Sequence, residues 1–279
     1  MPKLRDETVE PLHPFWWIGL PAIMLALGLL VPLLGFEIWH PLLASEWGLI
    51  EGGTVVLLVP AMVLSVRIFL RRRLLPRGIG WLMLAGGVAA LYFAGEETSW
   101  GQHYVGFETP EGLARINEQK EFNLHNIAGF GNIFNNVPRQ TMMAFCIIVC
   151  VILPLAVRRR FEWPRDRKSV WYWLIPSRQV APVALLAAFS TTPEHIINAY
   201  WRPALKTYLS MAFTDNGGEF KEFHYALVMF LYLWVVYKRV RLARAEAERL
   251  PAGDAAPSAA PSLPAMPKAA MSGHRTSPE

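Results

Sequence analysis

The chain has 279 residues, of which 53% are hydrophobic, with a mean hydropathy of +0.26 and a formal net charge of +5. The apolar residues come in long blocks, which excludes an ordinary soluble globular protein and predicts helices that cross a bilayer, at about 20 apolar residues per crossing. The basic residues cluster beside these blocks, so the positive charge indicates membrane topology and no nucleic-acid partner.

We predict an all-α membrane protein, with residues 1–250 forming a bundle of about six transmembrane helices and a structured loop at its outer face. Residues 251–279 are rich in Ala, Pro and Ser and show no apolar period, which predicts a disordered cytoplasmic tail. In chain order the predicted spans are approximately 15–36, 47–70, 78–95, 140–157, 179–201 and 222–237.

The basic clusters predict the orientation. Residues 71–77, 158–168 and 238–249 are dense in Arg and Lys. With six spans these clusters all lie on one side, which the positive-inside rule assigns to the cytoplasm. The prediction is therefore a multi-pass protein of the bacterial cytoplasmic (inner) membrane with both termini in the cytoplasm.

Ionisable residues other than the basic clusters collect at the opposite, outer level of the membrane. A charge in hydrocarbon costs a few kcal/mol, so such residues usually face the bundle interior or water and often mark function. They come from four spans and the outer loop: Glu51, Glu96, Glu97, His125, Glu194, His195, Glu219, Glu222 and His224.

The third span ends in AGEETSWGQHYVGFETP, residues 94–110. If its helix continues, Glu96, Ser99 and His103 share one stripe at helical spacing, together with Trp100, and Glu97 points about a third of a turn away. The adjacent carboxylates can face one point only if the helix ends there, which Gly95 and Gly101 would permit. Two close carboxylates repel, so a divalent metal, an arginine or a shared proton would be needed.

Carboxylates and histidines at one level are ordinary ligands for zinc, iron or manganese, although the spacing matches no established metal motif. The predicted metal ligands are Glu96, Glu97, His125, His195 and Glu222. The predicted catalytic groups are Glu97, His125 and Ser99. The predicted supporting residues are Trp100, Gln102, His103, Asn123, Asn126, Glu194, Glu219 and His224.

The segments GEETSWGQ, GFETPE and FNLHNI resemble an uncharacterised family of bacterial multi-pass inner-membrane proteins with GEE-x-SWGQ and NLHN signatures. The resemblance covers roughly Gly95–Ile127 and implies a functional strip there, but no reaction. In the family an arginine commonly follows WGQ, where this chain has His103. The plan is also similar to that of membrane-embedded metal hydrolases of the alkaline ceramidase type, although span count and motif spacing differ.

These observations favour a membrane enzyme that acts on a lipid or lipid-linked substrate near the outer face. Glu96, Glu97 and His125 would bind a divalent metal or perform acid–base chemistry there, helped by His195 and Glu222. Intramembrane carboxylates would also suit a proton-coupled transporter. The third alternative is a non-catalytic assembly or sensor protein, in which the glutamates and amides hold the outer loop on the bundle. Membrane lipids are the expected partners, and the sequence points to no particular protein partner.

Overall fold

The computed structural model describes residues 11–45, 48–129, 131–160, 167–192, 196 and 217–249. These residues are predominantly helical and contain no strand, only an isolated antiparallel bridge between Asn117 and Ile127. The predicted all-α class is therefore confirmed for this part of the chain. The predicted tail at 251–279 lies outside the described residues.

Ten helices are numbered here in chain order. The first six are α1 (Phe15–Leu30), α2 (Phe36–Trp39), α3 (Leu49–Leu70), α4 (Ile79–Glu97), α5 (Gln102–Val105) and α6 (Glu111–Ala114). The long α7 joins the consecutive segments Gly131–Ala144, Phe145–Ile152 and Leu153–Arg160, the middle one with the wider π-helical turn. The remaining helices are α8 (Val170–Leu174), α9 (Val180–Phe189) and α10 (Gly217–Arg249).

Within the described residues, three helices are long and apolar enough to cross a membrane: α3, α4 and the Ile133–Ala156 part of α7. They coincide with the predicted second, third and fourth spans, which supports a membrane protein. The predicted first and fifth spans correspond to the shorter apolar helices α1 and α9. Residues 193–195 and 197–201 of the predicted fifth span lie outside the described residues. The predicted sixth span falls within α10, which is not one of the three membrane-length apolar helices.

The bundle is organised around α10, which packs against α3 and α9, while α3 also packs against α4. Small residues allow close approach between the helices. A Cβ added at Gly87 would lie 2.2 Å from the Ser65 hydroxyl, and that hydroxyl donates a 2.7 Å hydrogen bond to the Met83 carbonyl. The space beside Gly53 is also occupied, since a Cβ there would lie 2.9 Å from the Phe223 ring.

The packing gives the bundle two distinct ends. At the first, which we call the carboxylate end, α3 begins near Glu51, α4 ends at Glu97 and α10 begins near Glu219. At the second, the arginine end, α3 passes into α4 through residues 71–78. The 19 residues of α4 separate the two ends by about 28 Å, at about 1.5 Å per residue. The connecting loop, residues 98–129, lies at the carboxylate end.

Candidate functional site at the carboxylate end

The helix α4 ends at Glu97, so the alternative in which the helix stops at the paired glutamates is the one found. The next residues turn the chain sharply, because Ser99, Trp100 and Gly101 have φ values of 44°, 54° and 91°. Left-handed backbone is costly for Ser and Trp, which places local strain at this turn. The side chains of Glu96 and Glu97 consequently contact two different groups of residues.

The carboxylate of Glu96 is buried and fastens the connecting loop to the end of α4. Its Oε2 accepts hydrogen bonds from the backbone N–H groups of Leu124 and His125, each at 2.8 Å, and from His125 Nδ1 at 3.2 Å. Its Oε1 accepts a 2.7 Å hydrogen bond from Trp100 Nε1. Four donors occupy this carboxylate, so it has little capacity left for the metal ligation that the sequence predicted.

The bond from Nδ1 of His125 also fixes the orientation of its imidazole. A carboxylate can only accept, so Nδ1 carries the proton in this bond and Nε2 remains as the second functional nitrogen. The imidazole is partly exposed and interacts electrostatically with Glu219.

The Ser99 hydroxyl lies in a second, buried hydrogen-bond cluster. It donates to Glu121 Oε2 at 3.0 Å, accepts from Asn123 Nδ2 at 3.1 Å, and lies 2.9 Å from His103 Nε2. Because the single hydroxyl proton points to Glu121, we assign the proton of the third bond to His103 Nε2. His103 then acts as a donor to Ser99 and is not placed as its general base.

The amide residues predicted as supporting groups brace the loop. Gln102 Nε2 donates to the Phe107 carbonyl at 3.1 Å and to Thr109 Oγ1 at 2.8 Å, and its Oε1 accepts from the Phe122 N–H at 2.7 Å. Asn126 donates to the Gln119 side chain. These contacts make the connecting loop a folded unit.

A separate cluster of carboxylates forms between α4 and α10. One oxygen from each of Glu97, Glu219 and Glu222 lies within 4.8 Å of the others, and all three residues are half-buried. Glu219 and Glu222 share a helix face at i, i+3. Glu51 of α3 interacts electrostatically with Glu97 and Glu219. We call Glu97, Glu219 and Glu222 the carboxylate cluster.

Arg139 of α7 supplies positive charge to the carboxylate cluster. Its Nε donates to Glu222 Oε1 at 2.8 Å, and a second guanidinium nitrogen contacts the same oxygen. Both side chains are shielded, with 31% exposure for Arg139 and 15% for Glu222. One arginine offsets one of three carboxylates, which leaves net negative charge if all three are ionised.

The carboxylate cluster borders a small pocket between α3, α4 and α10. Glu97 and Glu222 line one part of it, and the remaining wall is mostly apolar. The other lining residues are Thr54, Leu58, Phe93, Tyr225, Ala226 and Met229. Its free space holds about one water molecule, so these residues form a water-sized site beside the acidic side chains of Glu97 and Glu222.

The remaining predicted site residues are not brought into the carboxylate cluster. His224 is buried on α10, where its Nδ1 donates to the Phe220 carbonyl at 2.5 Å and its ring lies between Phe220 and Phe223. Glu194 and His195 lie outside the described residues. Among the described residues, the candidate metal ligands are therefore Glu97 and Glu222, which the sequence predicted as ligands, and Glu219, which it predicted as a supporting residue.

Sequence reasoning missed three participants. Arg139 forms an ion pair with Glu222, and Glu121 accepts a hydrogen bond from Ser99. Asn117 holds the loop through bonds to Asn123. Arg139 could have been noticed, because arginines are few in the segments that the sequence places at the outer level. No comparable signal marked Glu121 or Asn117 within a polar loop.

Comparison of the chain with protein-family models, with curated proteins and with solved structures gave no significant match. The function is therefore inferred from the geometry of these residues. Three convergent carboxylates can hold a divalent cation, share protons or pair with a cationic substrate group.

Proposed function

We propose that this chain is an integral membrane protein that binds a divalent cation at the carboxylate cluster and acts on a lipid or lipid-linked substrate there. The observation that carries the proposal is the convergence of Glu97, Glu219 and Glu222 within 4.8 Å. The proposal includes the six-span topology, with the carboxylate end at the outer face of a bacterial inner membrane and both termini in the cytoplasm. It also retains the predicted relation to the family with GEE-x-SWGQ and NLHN signatures.

The donor set favours a hard cation. Carboxylate oxygens suit manganese, magnesium or calcium, whereas zinc in proteins generally takes nitrogen or sulfur ligands as well. Of the zinc, iron and manganese considered from the sequence, manganese fits these three carboxylates best. A bound cation would polarise a substrate oxygen or lower the pKa of a bound water.

The protein groups would then have separate roles. Glu97 and Glu222 border both the cation position and the water-sized pocket, so they would hold the cation beside the space in which an activated water could sit. His125, held at Nδ1 by Glu96, would offer Nε2 for proton transfer near Glu219. Ser99 would hold the loop, since its hydroxyl is already occupied by three partners.

The test is a lipid-turnover assay on the full chain in nanodiscs made with bacterial lipid extract. We expect lipid mass spectrometry to show Mn²⁺-dependent loss of one lipid or lipid-linked species, abolished in Glu97→Gln. Glu111→Gln is the matched control, because it removes one glutamate charge from an exposed loop position. Failure of Mn²⁺, Mg²⁺ and Ca²⁺ to change any species would overturn the enzymatic proposal.

A second candidate function is supported by Glu96. Its four hydrogen bonds fix the connecting loop on the bundle, as an assembly or sensor protein with a loop-borne binding surface would require. In that case Glu96→Gln would weaken loop-dependent partner capture, and Glu97→Gln would leave it unchanged. The transporter alternative predicts instead that Glu97→Gln abolishes solute-driven proton movement in proteoliposomes.

A further inference from the structure

We propose that residues 71–77, at the arginine end, form a binding site for the phosphate groups of anionic phospholipids. This segment joins α3 to α4, and both helices are long and apolar enough to cross a membrane. A short connection between two such helices lies at the membrane surface, where lipid headgroups are the nearest anions. The proposal is independent of the function proposed for the carboxylate end, about 28 Å away along α4.

The charge of this segment is concentrated and of one sign. Arg71, Arg72, Arg73 and Arg77 fall within seven residues, and the sequence contains no Asp or Glu between Glu51 and Glu96. Clusters of this density next to a transmembrane helix attract anionic lipids. The guanidinium group is suited to phosphate because it can donate two parallel hydrogen bonds.

Two acidic residues near the C-terminal end of α10 are already engaged by other cations. On α10, Glu246 accepts hydrogen bonds from Arg167, and Glu248 accepts from Arg244 at 2.6 Å. Within the part of the chain that the structure describes, Arg73 and Arg77 have neither an ion pair nor a side-chain hydrogen bond. Among the described residues, no acidic side chain competes with an external anion for these two guanidinium groups.

Packing holds the segment in a defined shape. The Arg72 guanidinium lies 4.5 Å from the centre of the Phe69 ring, and Phe69 packs edge-on against Trp81 with ring centres 4.6 Å apart. A Cβ added at Gly80 would lie 2.4 Å from the Arg72 Cβ, so the segment rests directly on the first turn of α4. Arg71 lies over the Tyr237 ring of α10, at 5.9 Å.

The surroundings favour a lipid over free phosphate. Trp81 is 62% exposed beside the arginines, as expected of an indole at the membrane interface. Leu70 and Leu82 are also exposed, on the helices that flank the segment. A phospholipid could therefore place its phosphate among the arginines and its acyl chains along α3 and α4.

The test uses native mass spectrometry of the full chain in detergent, titrated with dioleoylphosphatidylglycerol or with dioleoylphosphatidylcholine. We expect preferential retention of phosphatidylglycerol in the wild type. The double variant Arg73→Gln/Arg77→Gln should lose affinity by about fivefold for each arginine removed. Arg73→Lys/Arg77→Lys should retain part of the preference, because the charge remains but the two-pronged donor is lost.

The matched control is Arg115→Gln/Arg249→Gln, which removes two exposed charges from other places and should leave the preference unchanged. All variants change exposed side chains, and size-exclusion chromatography verifies their folded state. Equal phosphatidylglycerol retention by the wild type and Arg73→Gln/Arg77→Gln would overturn the proposal. Displacement of phosphatidylglycerol by millimolar inorganic phosphate would also overturn the proposal, since the site would then recognise free phosphate equally well.

Discussion

Glu96 and His125 are joined twice, through the backbone N–H of His125 at 2.8 Å and through its imidazole Nδ1 at 3.2 Å, both to the same carboxylate oxygen. This double contact spans 29 positions of sequence and attaches the NLHN segment to the end of α4. It separates the paired glutamates by role, with Glu96 holding the loop and Glu97 facing α10.

The first prediction concerns Glu96→Gln. In this variant the amide oxygen can accept either from Trp100 or from the three donors that contact Oε2 in the wild type. In either case the amide NH₂ group faces the donors that the oxygen does not reach. We expect a loss of about 2 kcal/mol in stability, because charge-assisted hydrogen bonds are replaced by a donor–donor conflict. Thermal unfolding and limited proteolysis of the connecting loop measure this effect.

The matched control for Glu96→Gln is Glu111→Gln, whose carboxylate is 90% exposed and makes only a surface ion pair with Arg115. It should alter stability by less than about 0.5 kcal/mol. Equal protease resistance of the loop in Glu96→Gln and the wild type would contradict the assigned role.

The second prediction compares two glycines on α4. A Cβ at Gly95 would lie 2.9 Å from the Trp100 ring, whereas a Cβ at Gly86 meets nothing within 4 Å. Gly95→Ala should displace the indole, weaken its bond to Glu96 and lower the unfolding temperature. Gly86→Ala should be neutral or stabilising, by up to about 1 kcal/mol from helix propensity. Indistinguishable unfolding temperatures for the two variants would show that Trp100 is not held against Gly95.

The third prediction concerns Ser99. Its hydroxyl is buried and donates to Glu121, so a fluorophosphonate probe for activated serines should leave it unlabelled. Ser99→Ala should lower stability by about 1–2 kcal/mol while cation binding at the carboxylate cluster persists. Stoichiometric labelling, located at Ser99 by peptide mass spectrometry, would instead identify it as a nucleophile.

The fourth prediction concerns Arg139→Gln. Removing the guanidinium leaves Glu222 without its charged partner, so the cation-free protein should be destabilised by about 3 kcal/mol. An added divalent cation would then replace the missing positive charge. We expect Mn²⁺ to raise the unfolding temperature more in Arg139→Gln than in the wild type, and an equal or smaller rise would contradict cation binding beside Glu222.

The sequence predicted the helical class, and three of its six predicted spans coincide with membrane-length helices of the described residues. It also predicted that ionisable residues from several helices gather at one end of the bundle, because these features follow from apolar segment length and charge placement. It did not predict that these residues divide into one group around Glu96, which holds the connecting loop, and the carboxylate cluster around Glu97. The separation of Glu96 from Glu97 depends on the turn at Ser99, Trp100 and Gly101, and two of these residues rarely adopt positive φ. Arg139 joins Glu222 across 83 positions, a contact that tertiary packing alone decides.

The most direct test of the cation site is elemental mass spectrometry of the full chain, purified in detergent without chelator and equilibrated with Mn²⁺ before desalting. We expect near-stoichiometric manganese in the wild type and in Glu111→Gln. We expect a loss of manganese in Glu97→Gln and in Glu222→Gln, with both variants still monodisperse. Absence of manganese, magnesium and calcium from the folded wild type, or equal content in all four proteins, would contradict the proposed cation site.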